Sequence, residues 1–179
     1  MLDPTTALIV VDLQSGTVRN PMIHDLVNVT ANAAALLESF RSRDLPVVIA
    51  TVDGTPAGRN SYGGGATAWP AEMTVLVPEI QPAAGDIQVA RRAWSALTPD
   101  VDAQLKALGV TQVVLVGLAT SFGIESTARA AYDLGYSVVV VTDAISDMRA
   151  EAHENSVTRI FPILGETATA AEVVAALDA

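Results

Sequence analysis

No cysteine occurs anywhere in the 179 residues. Disulfides, thiolate metal sites and a thiol nucleophile all need that sulfur, so they are excluded together. Aromatic residues are also few, at 4%, which leaves the core to aliphatic side chains, chiefly Val and Ala. Positive charge is in short supply too: ten Lys and Arg stand against twenty Asp and Glu, a formal net charge of −10. A nucleic-acid partner would need a basic footprint, and attachment to anionic lipid would need a polybasic patch; neither is present. No apolar run approaches the ~20 residues of a membrane span. The opening MLDPTTALIVVDLQ lacks the basic head and long apolar run of a secretory signal. The expectation is a soluble cytoplasmic protein with neither nucleic acid nor membrane as partner. Histidine is limited to His24 and His153, which do not lie at ligand spacing, and the carboxylates are dispersed. No metal or other cofactor is therefore expected.

What the chain has in quantity is apolar material. Half the residues are hydrophobic and only 17% are charged, enough for one sizeable core, and the length fits a single domain over 1–179. ALIVVD (Ala7–Asp12) and PVVIATV (Pro46–Val52) are short, solid apolar runs, the pattern of strands buried on both faces. Between them Leu26, Val29, Ala33, Leu36, Leu37 and Phe40 recur at helical spacing. DIQVARR (Asp86–Arg92) reads as a third strand. In TPDVDAQLKALG, Thr98 is placed to cap a helix, Pro99 to open it and Gly109 to close it. QVVLVG gives a fourth strand, a helix follows from about Phe122 to a stop at Gly135, and YSVVVVTDA gives a fifth. A helix over AEAHENSVTRIF, a short strand candidate at ETAT and a helix over TAAEVVAALDA complete the chain. Strands alternating with helices predict a parallel sheet covered on both faces. The Gly-rich stretch 53–70 has no sustained period and reads as a long functional or mobile loop.

In such a sheet, ligands bind beyond the carboxyl ends of the strands, where strand order reverses. That rule selects Asp12, Asp53, Arg91 with Arg92, the turn 120–123, and Asp143. Each also has a plain reading. Asp12 can brace a loop; Arg91 and Arg92 can be a solvated strand end; Asp53 with Gly54 is a turn signal; Asp143 is expected to cap the next turn. His24 and His153 are read as structural. No G-x-S-x-G elbow supports a serine triad.

ALIVVDLQ, VARRAWSAL and VGLATSFGIESTARAAYDLGYSVVVVTDA, in that order and spacing, resemble the isochorismatase-like hydrolase superfamily, relatives of the cysteine hydrolases. The resemblance implies an α/β, three-layer α/β/α fold with a six-stranded parallel sheet in the order 3-2-1-4-5-6. It implies that Asp12 and Gly123 flank one crevice. In the thiol branch an Asp, a Lys and a Cys do the chemistry; the matching positions here are Asp12, Arg91 and Gly123. A nucleophilic acyl transfer is thereby left without an attacking atom. The Asp-x-His metal segment of nicotinamidase-like members is replaced by DGT. The isochorismatase branch, which cleaves an enol ether without a covalent intermediate and uses the first-strand Asp as acid, is compatible with Gly at 123.

On that resemblance Asp12, Arg91 and Gly123 form the catalytic set, with Gln14, Trp94, Ala119, Thr120, Phe122 and Ile124 binding substrate. Trp69 is a further wall candidate. The N–H groups of Gly123 and Ile124 are expected to meet a substrate carboxylate or a developing oxyanion. A cis peptide is expected just before Ala119, and Thr127, Ala128 and Ala131 are packing residues. Arg91 should lower the pKa of Asp12 by contact, or else turn to a carboxylate on the substrate. Three readings remain open: a thiol-independent small-molecule hydrolase working through Asp12; a binding or regulatory protein whose catalytic set has decayed; and, last, a hydrolase using Ser121 or Ser126. A homo-oligomer, at least a dimer, is expected, with the 53–70 loop ordered by a partner subunit.

Overall fold

A computed structural model describes residues 2–61 and 63–179. Its framework is a six-stranded sheet: β1 (Thr6–Val11), β2 (Val47–Val52), β3 (Ile87–Arg91), β4 (Gln112–Leu118), β5 (Ser137–Ser146) and β6 (Glu166–Ala168). The strands lie in the order 3-2-1-4-5-6, and every neighbouring pair is parallel. Between and after them run α1 (Leu26–Arg41), α2 (Pro99–Ala107), α3 (Glu125–Asp133), α4 (Ala150–Asn155) and α5 (Ala170–Leu177). The chain continues helically beyond α4 through a wide turn, Ser156–Ile160, and a last turn, Phe161–Leu164.

Two apolar layers follow from the period-two alternation of the strands. Ala7, Ile9 and Val11 of β1 point to one side, where Val101 and Leu105 of α2, Ala128 and Ala131 of α3, and Phe161 complete a core. Leu8 and Val10 point to the other side, against Val29, Ala33, Leu36 and Phe40 of α1 and Val173 of α5. β1 and β4 are buried along their whole length because helices cover both faces. Each fully buried aliphatic side chain contributes roughly 1.5–3 kcal/mol relative to exposure.

Local chemistry sets the helix ends. Asp25 accepts the Val27 N–H at 3.0 Å at the start of α1, and Thr98 accepts the Val101 N–H at 3.3 Å at the start of α2. Thr169 and Glu172 close a reciprocal capping box on α5. Gly109 and Gly135 take positive φ, 71° and 87°, just past α2 and α3, a conformation from which a side chain is largely barred.

Four sequence expectations are corrected. The 53–70 stretch is not structureless: Gly54–Thr55 pairs with Thr67–Ala68, and Arg59–Asn60 with Gly63–Gly64, as two small antiparallel ribbons. Gly63 and Gly64, at φ 109° and 150°, permit the reversal. β5 runs to Ser146, and Asp143 lies inside it; its carboxylate accepts the Ala170 N–H of α5 at 2.8 Å instead of capping the next turn. Helical structure after β4 begins at Thr120, not Phe122, as a wide turn over Thr120–Ile124. The helix begun at Ala150 extends to Leu164. No helix among the described residues is long and apolar enough to cross a membrane.

Candidate active site

The strand-order reversal lies between β1 and β4, and there the chain turns sharply on both sides. Asp12 follows β1 with φ 53°, a left-handed conformation that Asp tolerates better than most residues. Its N–H donates to Ala50 O of β2 at 2.9 Å, and Thr17 Oγ1 donates to its carbonyl. The backbone is thereby held and the carboxylate swung over the sheet's carboxyl edge. Across from it, the Leu118–Ala119 peptide is cis, at the position the resemblance implied. The wide turn then brings Gly123 back beside Val11 and Asp12. A Cβ at position 123 would stand 2.8 Å from Leu118 O, 2.9 Å from Val11 Cγ1 and 3.3 Å from Asp12 Oδ2. One backbone carbonyl and the side chains of Val11 and Asp12 have closed into the space a side chain would take.

Arg91, the last residue of β3, reaches across the end of β2 to Asp12. Its Nη1 donates to Asp12 Oδ1 at 2.5 Å and its Nη2 to Oδ2 at 3.0 Å. Nε donates to Ser95 O at 3.1 Å and Nη2 also to Trp94 O at 2.9 Å. Both side chains are buried. Arg91 is thus not a solvated strand end, whereas Arg92 fits that description: its side chain is half exposed, 3.8 Å from Asp53. Burial, the larger influence, pushes the Asp12 carboxyl above its ordinary value against the opposing hydrogen bond and charge of Arg91. The lowering expected from contact alone is overridden, because pairing across a dry interface also removes the carboxylate from water. The bidentate contact with Arg91 opposes that push and favours the ionised form. Arg91 does not release its proton, and a neutral Asp12 would leave that cation buried without counter-charge.

Above the pair lies a cavity of about 210 Å³. Asp12, Ala119, Phe122 and Gly123 line one side, with Trp94 set edge-on to Phe122 at 5.0 Å between ring centres. Trp69, Thr55 and Gly54 come from the ribbon segment, Thr17, Asn20 and Met22 from the connection before α1, and Met148 from the turn after β5. Among the described residues that line it, Asp12 alone is ionisable. Thr17, Asn20, Met22 and Met148 were missed in the sequence: they carry no motif, and the one signal that could have found them is their place after strand ends.

Four residues of the expected set lie outside this lining. Arg91 sits behind Asp12. Gln14 is fully buried and works as a brace: its Nε2 donates to Val52 O and Met73 O at 2.8 and 2.9 Å, and its Oε1 accepts the Val52 N–H at 2.8 Å. Thr120 is buried with its hydroxyl 2.9 Å from His153 Nδ1. Ile124 packs in the core, and its N–H donates to Ala119 O at 3.2 Å, so it is not offered to a ligand. Of the two amides expected to meet substrate oxygen, Gly123 remains the candidate. Ser121 turns away as well, its N–H and hydroxyl both donating to Asp147 Oδ2 at 2.7 and 2.8 Å, and Ser126 does not line the cavity.

Thr127 ties the site together from behind. Its hydroxyl donates to Gly123 O at 2.6 Å and accepts the Ala96 N–H at 2.9 Å. The turn that carries Gly123 is thereby joined to the loop whose carbonyls hold Arg91.

Comparison with known proteins gives the same frame. Residues 6–172 match the isochorismatase domain family. The isochorismatase family protein YwoC of Bacillus subtilis is 38% identical over 175 residues, 93% of this chain and 91% of that protein. The isochorismatase family protein YecD of Escherichia coli O157:H7 is 35% identical over 185 residues, 97% and 96% of the two chains. Among solved structures, an isochorismatase family protein from Burkholderia thailandensis superposes with a TM-score of 0.94 at 38% identity, covering 100% of this chain and 98% of that one.

Proposed function

Since the chain belongs to the isochorismatase family, we propose that its crevice hydrolyses a small molecule without a covalent intermediate, with Asp12 moving the proton. The reading rests on one observation above all: Asp12 Oδ2 lies 3.3 Å from the point where a side chain at 123 would begin. The carboxylate therefore faces the place where a protein nucleophile is missing. In this reading water is the nucleophile. Ionised Asp12 accepts a proton from it as its oxygen attacks the electrophilic carbon, and then returns that proton to the leaving group, so the enzyme ends unchanged. The base role is favoured over the acid role because both Arg91 bonds stabilise the carboxylate form of Asp12. Arg91 positions the carboxylate and balances its charge. The Gly123 amide is assigned to the oxygen on which charge develops. Trp94, Phe122 and Trp69 hold the apolar part of the substrate and shed water from it.

A second reading is supported by the same pair. Both Asp12 oxygens are engaged by Arg91, so a protein that only binds its ligand would carry this floor equally well. Steady-state turnover of neutral esters, amides and enol ethers, measured for the wild type and for Asp12→Asn, separates the two. Hydrolysis that falls by about 10²-fold or more in the variant is expected for a lost proton-transfer group. Turnover unchanged in the variant would remove Asp12 from the mechanism, and ligand binding with no turnover would favour the binding protein.

A further inference from the structure

We propose that the ligand of this crevice is an uncharged, largely apolar small molecule, and that anions are excluded. The inference rests on the cavity being the substrate site, as proposed above. Its basis is the arrangement of donors around Arg91. A guanidinium has five N–H donors. Four are taken, by Ser95 O, by the two Asp12 oxygens and by Trp94 O. The paired face that would grip a carboxylate with two parallel bonds is already closed on Asp12. This replaces the sequence-level expectation that Arg91 turns toward a carboxylate on the substrate.

No other lining residue among those described can take that part, since Asp12 is the ionisable one and carries the wrong sign. Arg92, on the same strand end, faces Asp53. An entering anion would meet the Asp12 carboxylate without a free cation, inside a chain of net charge −10. A cation fares little better: it would give up its hydration beside a pair that is already neutral. A neutral molecule has neither penalty. The carboxylate keeps lone pairs to accept one N–H or O–H from it, while Trp69, Trp94, Phe122 and the two methionines Met22 and Met148 cover its apolar surface. The volume of about 210 Å³, the space of roughly seven water molecules at about 30 Å³ each, suits a single-ring molecule.

Benzamide, benzoate and benzylammonium match this volume class and differ in charge. Trp69 and Trp94 are the only tryptophans in the chain, and both line the cavity, so tryptophan fluorescence reports its occupancy. Benzamide is expected to bind the wild type at least about tenfold more tightly than either charged probe, each of which adds an uncompensated charge to the site. In Asp12→Asn the Arg91 charge loses its partner, and the ratio of benzoate to benzamide affinity is expected to rise at least about tenfold. Benzoate binding the wild type as tightly as benzamide, or benzamide failing to bind, overturns the inference whatever the variant does. Turnover of an anionic substrate by the wild type would overturn it while leaving the hydrolase reading intact. Neutral ligands that bind but are never hydrolysed would sink the hydrolase reading and leave this one standing.

Discussion

The Arg91 guanidinium grips the Asp12 carboxylate at both oxygens, 2.5 and 3.0 Å apart, across 79 residues of sequence. Removing one partner leaves the other charged, buried and alone. Arg91→Met is therefore expected to destabilise the protein by about 3–5 kcal/mol, while the double replacement, Asp12→Leu with Arg91→Met, costs much less than the two single changes summed. Urea denaturation of the four proteins checks this; additive losses would mean that the pair is not coupled.

Much of this site was legible before any coordinates, and the reason is physical. Solid apolar runs ending just before Asp12 and Asp53, alternating with helical periods, read as buried parallel strands, and the strand-order rule then locates the crevice at the ends of β1 and β4. The pairing of Arg91 was not legible. VARRAW looks like a charged strand end, and nothing local says that Arg91 turns inward while Arg92 stays in water; that depends on β3 lying two strands from β1. Gln14 was misread for a similar reason. It follows the site Asp in sequence, but its side chain is drawn back to bond Val52 and Met73. Met22 and Met148 reach the cavity from two separate connections, whose paths no periodicity encodes, whereas Trp69, a wall candidate in the sequence, lines it from the ribbon segment.

Gly123 is held in place by its surroundings. A Cβ there would come within 2.8 Å of Leu118 O, a backbone atom that cannot swing aside. Gly123→Ala is expected to cost about 1–3 kcal/mol by overpacking. Gly123→Cys should lose similar stability and gain no thiol-dependent turnover of amides, assayed with and without iodoacetamide. Wild-type stability in Gly123→Ala would show that the turn yields easily, and thiol-dependent activity in Gly123→Cys would make this a thiol site lacking only its sulfur.

Thr127 is fully buried and its hydroxyl serves two backbone groups, Gly123 O and the Ala96 N–H. Val has the same shape without the hydroxyl, so Thr127→Val leaves both groups unsatisfied. A loss of about 1–3 kcal/mol per stranded group is expected. Because Gly123 and the Ser95–Ala96 loop then lose their common tie, binding of neutral ligands should weaken too. Thr127→Ser, which keeps the hydroxyl, should restore most of both. Equal losses in Val and Ser variants would assign the effect to packing.

The two histidines make the last prediction a matter of pH. The rings of His24 and His153 meet edge to face at 4.7 Å, and His153 Nδ1 lies 2.9 Å from Thr120 Oγ1. Burial first, and then the His24 ring, lower the pKa of His153 below its ordinary 6.5, against the opposing pull of Asp147 and Glu154. Protonation is thus harder in the folded protein than in the unfolded chain. Above pH 6.5 neither state binds the proton and stability is at its full value. Below it the unfolded chain takes up the proton first, so stability falls with falling pH until the folded-state pKa is passed. His153→Gln can still hydrogen-bond Thr120 but does not titrate. Its urea midpoint should therefore fall less than that of the wild type between about pH 7 and pH 5. His24→Gln removes one of the two lowering influences and should shift the wild-type loss to a narrower window. Identical pH profiles for the wild type and His153→Gln would mean that the acid loss of stability arises elsewhere, in the carboxylates.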